Sequence, residues 1–107
     1  MNRRFLLMTM ASLVAGWGAT REVKGSVSDQ NGKKLARAVV YLKDTRTLMI
    51  RSYLSRKSGA YRFVGLNPDV DYELYARFRS VTSATTLLSR FDSAKVAAID
   101  LVVEVSQ

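Results

Sequence analysis

Ser58-Gly59-Ala60-Tyr61-Arg62-Phe63-Val64-Gly65-Leu66-Asn67-Pro68, followed at once by Asp69-Val70-Asp71-Tyr72-Glu73-Leu74, is the stretch that decides the fold. Lys57-Ser58-Gly59 turns the chain, and Tyr61 and Phe63 then point one way while Arg62 points the other. That alternation has the two-residue period of a strand with one apolar face. Pro68 has no N–H to give to a ladder, so the strand must stop before it. Tyr72 and Leu74 then open a second strand, and the whole reads as the hairpin centre of a small β-sandwich.

The same period runs outward in both directions. Val23, Gly25 and Val27 alternate with Glu22, Lys24, Ser26 and Ser28 in a first strand. Asp29-Gln30-Asn31-Gly32 ends it, because Asn-Gly tolerates the positive φ of a tight turn. Leu35, Ala38, Val40 and Leu42 carry the next apolar set, with Val39, Tyr41 and Lys43 opposite, and Ile50 to Leu54 is a third strand of mixed character. In the longest strand Tyr72, Leu74, Ala76 and Phe78 face one side, while Glu73, Tyr75, Arg77 and Arg79 face the other. Val81 to Thr86, rich in Thr and Ser, suits an exposed edge or loop, and Ser89 to Asp92 an irregular segment. The last strand sets Ala97, Ile99, Leu101, Val103 and Val105 against Asp100 and Glu104. Six or seven short strands separated by turn signals predict an all-β, antiparallel sandwich or barrel. Its expected core holds Val27, Val40, Leu42, Tyr61, Phe63, Leu66, Tyr72, Leu74, Phe78, Ile99, Leu101 and Val103.

The N-terminal end has a different character. Asn2-Arg3-Arg4 is a basic start, Phe5 to Ala15 an almost unbroken apolar run, and small residues follow at Gly16, Gly18 and Ala19. That order is the order of a secretory signal peptide. The expected organisation is a signal-peptide helix over residues 1–19 and one sandwich domain over 20–107. Cuts after Gly16, Gly18 or Ala19 all fit, and Arg3-Arg4 leaves both general secretion and twin-arginine export open. The apolar run is shorter than the ~20 residues a membrane-crossing helix needs, so no transmembrane segment is expected in the mature chain. The expected location is periplasmic or extracellular.

Composition narrows the chemistry. The chain of 107 residues has no cysteine and no histidine. Thiol nucleophiles, imidazole bases and the commonest zinc ligands are therefore missing, and no disulfide can staple the fold. No Ser-x-x-Lys spacing occurs, and no glycine loop leads a strand into a helix to cradle phosphate. Asp69, Asp71 and Glu73 are the one carboxylate cluster; they lack the spacing of a calcium loop and read as a polar turn. No catalytic residue, metal or cofactor is expected. Seventeen basic residues stand against nine acidic ones, a net +8. Without Arg3 and Arg4 the balance is +6, which favours anionic partners. The basic residues are dispersed and lack a stacked aromatic platform, so nucleic acid is not an expected partner. Tyr41, Tyr75, Arg77 and Arg79 are the candidate ligand-binding residues, because arginine grips sugar acids and phosphate with paired donors.

Val23-Lys24-Gly25-Ser26-Val27, Asn31-Gly32, Leu35, Ala38-Val39-Val40-Tyr41-Leu42, the Ser58–Pro68 stretch and Tyr72-Glu73-Leu74 together resemble the carboxypeptidase regulatory-like domain family. Two loop positions depart from its pattern: Asp69-Val70-Asp71 stands where a glycine usually follows the proline, and Arg56-Lys57 replaces the usual Thr-Asp pair. The resemblance implies a transthyretin-like, seven-stranded β-sandwich akin to carbohydrate-binding-like domains. It also implies an accessory role, since such domains are appended to secreted peptidases, outer-membrane receptors and surface proteins. The expected function is a non-catalytic binding or structural module for a carbohydrate such as an anionic glycan. The alternative is an accessory subunit of a cell-envelope assembly, docking on a protein through a strand edge.

Overall fold

A computed structural model describes residues 19–106, so the expected signal-peptide helix lies outside the described residues except for Ala19. Nine strands follow: β1 (Arg21–Asp29), β2 (Val39–Asp44), β3 (Ile50–Leu54), β4 (Ala60–Leu66), β5 (Tyr72–Phe78), β6 (Val81–Thr82), β7 (Thr86–Leu88), β8 (Val96–Ala98) and β9 (Leu101–Val103). β6 and β7 both lie along β5, and β8 and β9 both lie along β1. The nine segments therefore trace seven strand paths. One sheet runs β4–β1–β8/β9 and the other β3–β2–β5–β6/β7.

The sandwich agrees with the alternation, but it is not wholly antiparallel as expected. β8 and β9 run parallel to β1, which places the last strand beside the first. A parallel neighbour needs a long crossover, and here the whole of the facing sheet supplies it.

Each interruption is bridged by a side chain. Between β6 and β7, Ser83 donates its N–H to the Ala76 carbonyl, and its Oγ accepts the Ala76 N–H at 2.9 Å. Between β8 and β9, the Ile99 carbonyl crowds β1 so closely that a Cβ on residue 25 would sit 1.8 Å from it. Only glycine fits at Gly25, and Asp100 Oδ1 takes the Ser26 N–H at 2.9 Å in place of a ladder carbonyl. A buried N–H without an acceptor costs about 1–3 kcal/mol, so Ser83 makes the break at the buried Ala76 N–H tolerable, while Asp100 serves the exposed Ser26 N–H. A third irregularity is a bulge in β4: Arg21 pairs with Leu66 but Val23 with Phe63, and Gly65 takes φ 70°.

The inner faces of the two sheets bury Val23, Val27, Val40, Leu42, Tyr61, Phe63, Leu66, Tyr72, Leu74, Leu101 and Val103, joined by Leu35, Ala38, Val70, Ala76, Leu88 and Ala97. Phe78 and Ile99 were expected inside but are only half-buried against this core. Phe78 ends its strand at a turn, and Ile99 occupies the break between β8 and β9. Buried Ser55 links the layers: its Oγ donates to the Leu35 carbonyl at 2.7 Å and accepts the Ala38 N–H at 2.9 Å. Arg21, also buried, donates to the carbonyls of Ser89 and Ala94 and so holds the 89–95 loop against the sheet.

Candidate functional site

The outer face of the β3–β2–β5 sheet is set by register. Tyr41 on β2 lies between Ser52 on β3 and Tyr75 on β5. One row to one side, Val39 lies between Leu54 and Arg77; one row to the other, Lys43 lies between Ile50 and Glu73, with Leu87 next to Glu73 on β7. Tyr41 and Tyr75 are half-buried, with ring centroids 5.0 Å apart and planes 24° from parallel. Two rings that close and that nearly parallel cannot lie side by side in one plane, so they overlap face on face.

Around this pair the aliphatic side chains of Ile50, Leu54 and Leu87 are each about half-exposed, at 53, 48 and 57 %. Leu48 and Met49, in the turn that leads into β3, are more exposed still. Asp44 shapes that turn: its Oδ1 accepts the N–H groups of Arg46 and Thr47 at 2.8 and 2.9 Å. The Thr47 N–H above all, then that of Arg46, holds the Asp44 carboxyl below the usual carboxylate range. Lys43 and Glu73 stand 4.0 Å apart across the strands.

Three of the four candidate residues thus share a face: Tyr41, Tyr75 and, one row away, exposed Arg77. Arg79 does not. The chain turns back at Arg79-Ser80, both with positive φ, and Phe78 pairs with Val81 across the turn. The Arg79 guanidinium lies 5.0 Å above the Phe78 ring, at the end of the sandwich rather than on the sheet face. The aliphatic frame from β3 and β7 was not singled out from the sequence. No pattern within one strand could have marked it, because only cross-strand register brings Ile50, Leu54 and Leu87 to the tyrosines.

The acidic cluster disperses. Asp71 Oδ1 accepts the Arg90 N–H at 2.6 Å and its carbonyl accepts the Thr45 hydroxyl at 2.7 Å, while Glu73 lies beside Lys43. Among the described residues no three acidic side chains converge as a metal site would require. Nor, among them, is any helix long and apolar enough to cross a membrane.

A model of the carboxypeptidase regulatory-like domain matches residues 22–104. Among curated proteins, no sequence matches the chain. Among solved structures, the dioxygenase domain of a dioxygenase carbohydrate-binding protein fusion from Streptomyces sp. SirexAA-E is similar at TM-score 0.58 and 16 % identity, over 83 % of this chain and 82 % of that one. Shaft pilin SpaA of Lactobacillus rhamnosus GG is similar at TM-score 0.62 and 13 % identity, over 82 % of this chain and 47 % of the pilin. The 3-chlorocatechol 1,2-dioxygenase of Rhodococcus opacus 1CP is similar at TM-score 0.62 and 12 % identity, over 81 % and 60 %. This chain spans about half of the pilin and three-fifths of that dioxygenase. At such identities the likeness is one of fold.

Proposed function

Because the chain belongs to the carboxypeptidase regulatory-like domain family, a family of non-catalytic β-sandwich modules, we propose that it is an exported docking module that holds a cell-envelope protein against the outer face of the β3–β2–β5 sheet. The observation that carries this reading is the stacked Tyr41–Tyr75 pair framed by Ile50, Leu54 and Leu87, with Arg77 one row away. Aromatic residues and arginine inside a ring of aliphatic contacts are the make-up of a protein interface centre. Exposed aliphatic side chains around the pair, interspersed with Lys43, Glu73 and Arg77, support the same class of partner. β3 is an edge strand, so a partner strand can extend the sheet there while its side chains meet the tyrosines.

A glycan is the second reading, favoured by Arg77 beside Tyr75 and by the positive net charge. The stacked pair covers part of one face of each ring, and the exposed aliphatic side chains around it weight the proposal toward protein. A photoreactive side chain carried at position 52, beside Tyr41, should cross-link to an envelope protein in the native host. One at position 96, on the outer face of the other sheet, should not, and Tyr75→Ala should abolish the cross-link. Equal capture from both positions would overturn the docking face. Glycan-array binding that Tyr75→Ala removes, without protein cross-linking, would select the second reading.

Export belongs to the same proposal and rests on Arg3-Arg4 and the Phe5–Ala15 run. N-terminal sequencing of protein from the native host should find a chain that starts after Gly16, Gly18 or Ala19. An intact Met1 on cytoplasmic protein would sink it.

A further inference from the structure

On the opposite side of the sandwich, the row Arg62–Lys24–Ala98 runs abreast across β4, β1 and β8. A cleft of about 430 Å³ opens there, lined by these three residues together with Ala60, Tyr53 and Arg56. Its cations are not equivalent. Arg62 donates Nε and Nη2 to the two carboxylate oxygens of Glu22, at 2.8 and 3.2 Å, and its charge is matched. Arg56 gives only its Nε, to the Tyr53 hydroxyl at 3.1 Å. Among the described residues neither Arg56 nor Lys24 forms an ion pair. The cleft therefore holds two cations without a direct ion-pair partner, Lys24 near enough to Glu22 to help Arg62 hold its carboxyl low, above a floor of alanine methyls with a tyrosine at its side.

We propose that this cleft is a binding site for a small organic carboxylate, one whose acid group meets Lys24 and Arg56 and whose ring or carbon frame lies over Ala60 and Ala98. Charge complementarity calls for an anion. The small side chains of the floor leave room for a ring, and the volume falls in the range of small-ligand pockets, roughly 300–1,000 Å³. Arg56 is suited to the acid group because its Nη donors remain free to take two oxygens together. A bare inorganic anion would leave the apolar floor uncovered. Lys24, Arg62, Ala60 and Ala98 belong to the other sheet, while Tyr53 and Arg56 reach the cleft from the end of β3, away from Tyr41 and Tyr75, so either site can fail without the other.

Four probes separate the parts of the proposal by NMR titration of the ¹⁵N-labelled protein: glucuronate, cyclohexanecarboxylate, glucose and inorganic phosphate. Binding by either carboxylate, seen at the amides of Lys24, Gly25, Ala60 and Ala98, is the expected result. If glucuronate alone binds, the ligand class narrows to sugar acids; if both bind, it is organic acids at large, and both results sustain the site. Lys24→Ala and Arg56→Ala should each weaken binding about threefold, the scale of exposed charge pairs. Both lie on the surface, so the fold is retained. Ala98→Trp should block the floor without altering charge. Glucose or phosphate binding as tightly as the carboxylates would overturn the proposal, as would shifts confined to the Tyr41–Tyr75 face or affinity unchanged in the Lys24→Ala/Arg56→Ala double variant.

Discussion

The molecule contains two tyrosine-bearing aromatic groups used in opposite ways. Tyr53, Phe63 and Tyr61 form one: Phe63 meets Tyr53 and Tyr61 at 6.0 Å each, with planes 69° and 58° apart. These rings sit where β3 of one sheet comes closest to β4 of the other, and the Arg51 guanidinium closes the opening. It lies 5.4 Å from the Phe63 ring centre and donates to the Val64 carbonyl at 3.0 Å. Tyr41 and Tyr75 form the other group, stacked on two strands of a single sheet that the β2–β5 ladder already joins. Tilted rings between layers join the two sheets at the β3–β4 side of the core. The stacked pair repeats a connection already present, so its side chains are available for binding.

Phe63→Ala is the harshest test of that contrast. It removes the ring that links both sheets and should cost about 3–5 kcal/mol in denaturant unfolding. A loss below about 1 kcal/mol would show that Phe63 does not carry the interior, since that is the scale of surface changes. Tyr61→Phe keeps the ring and deletes only the hydroxyl that donates to the Ile99 carbonyl. It should cost about 1–2 kcal/mol, the price of a partly buried acceptor left unpaired, and no loss would mean that water takes the hydroxyl's place. Tyr75→Ala should cost no more than about 1 kcal/mol, the range of a cross-strand pair, yet remove the cross-link from position 52. A larger loss of stability with docking unchanged would invert the two roles.

The interior group was legible because period-2 alternation places Tyr61 and Phe63 on one face whatever lies opposite. Register and direction were not. Nothing local shows that the last strand runs parallel to the first; that is set by pairing between residues 74 apart, Val23 with Ala97 and Val27 with Leu101. The Arg79-Ser80 turn was hidden because neither residue is among the Gly, Asn and Asp that announce positive φ, so Arg79 read as one more residue of the strand. Ser83 was hidden for a similar reason. In a Thr- and Ser-rich segment, a serine that completes a ladder looks like any serine of an exposed loop. Of the candidate site, the tyrosines and Arg77 could be read from one strand at a time, while their aliphatic frame depended on pairing.

The two aromatic groups should also differ in their response to acid, and here the expected effect is smallest. Asp44 fixes the turn into β3, from which Leu48, Met49 and Ile50 project beside the tyrosine face. Its carboxyl is held below the usual range by the N–H groups of Thr47 and Arg46. A depressed folded value means that the ionised carboxylate stabilises the fold above the ordinary carboxylate range, and that this contribution is lost as pH falls through the folded value. Asp44→Asn keeps an oxygen for both N–H groups but carries no charge. The melting temperature of the wild-type protein should exceed that of Asp44→Asn slightly at neutral pH, with the gap closing below about pH 4, where carboxylates protonate. Amide exchange of Thr47 and Leu48 should quicken over the same interval, while Phe63 stays protected until global unfolding. A gap that persists at low pH would show that the Asp44 charge is not the source of the difference, and quickening that reaches Phe63 at the same pH would show that the turn and the interior open as one unit.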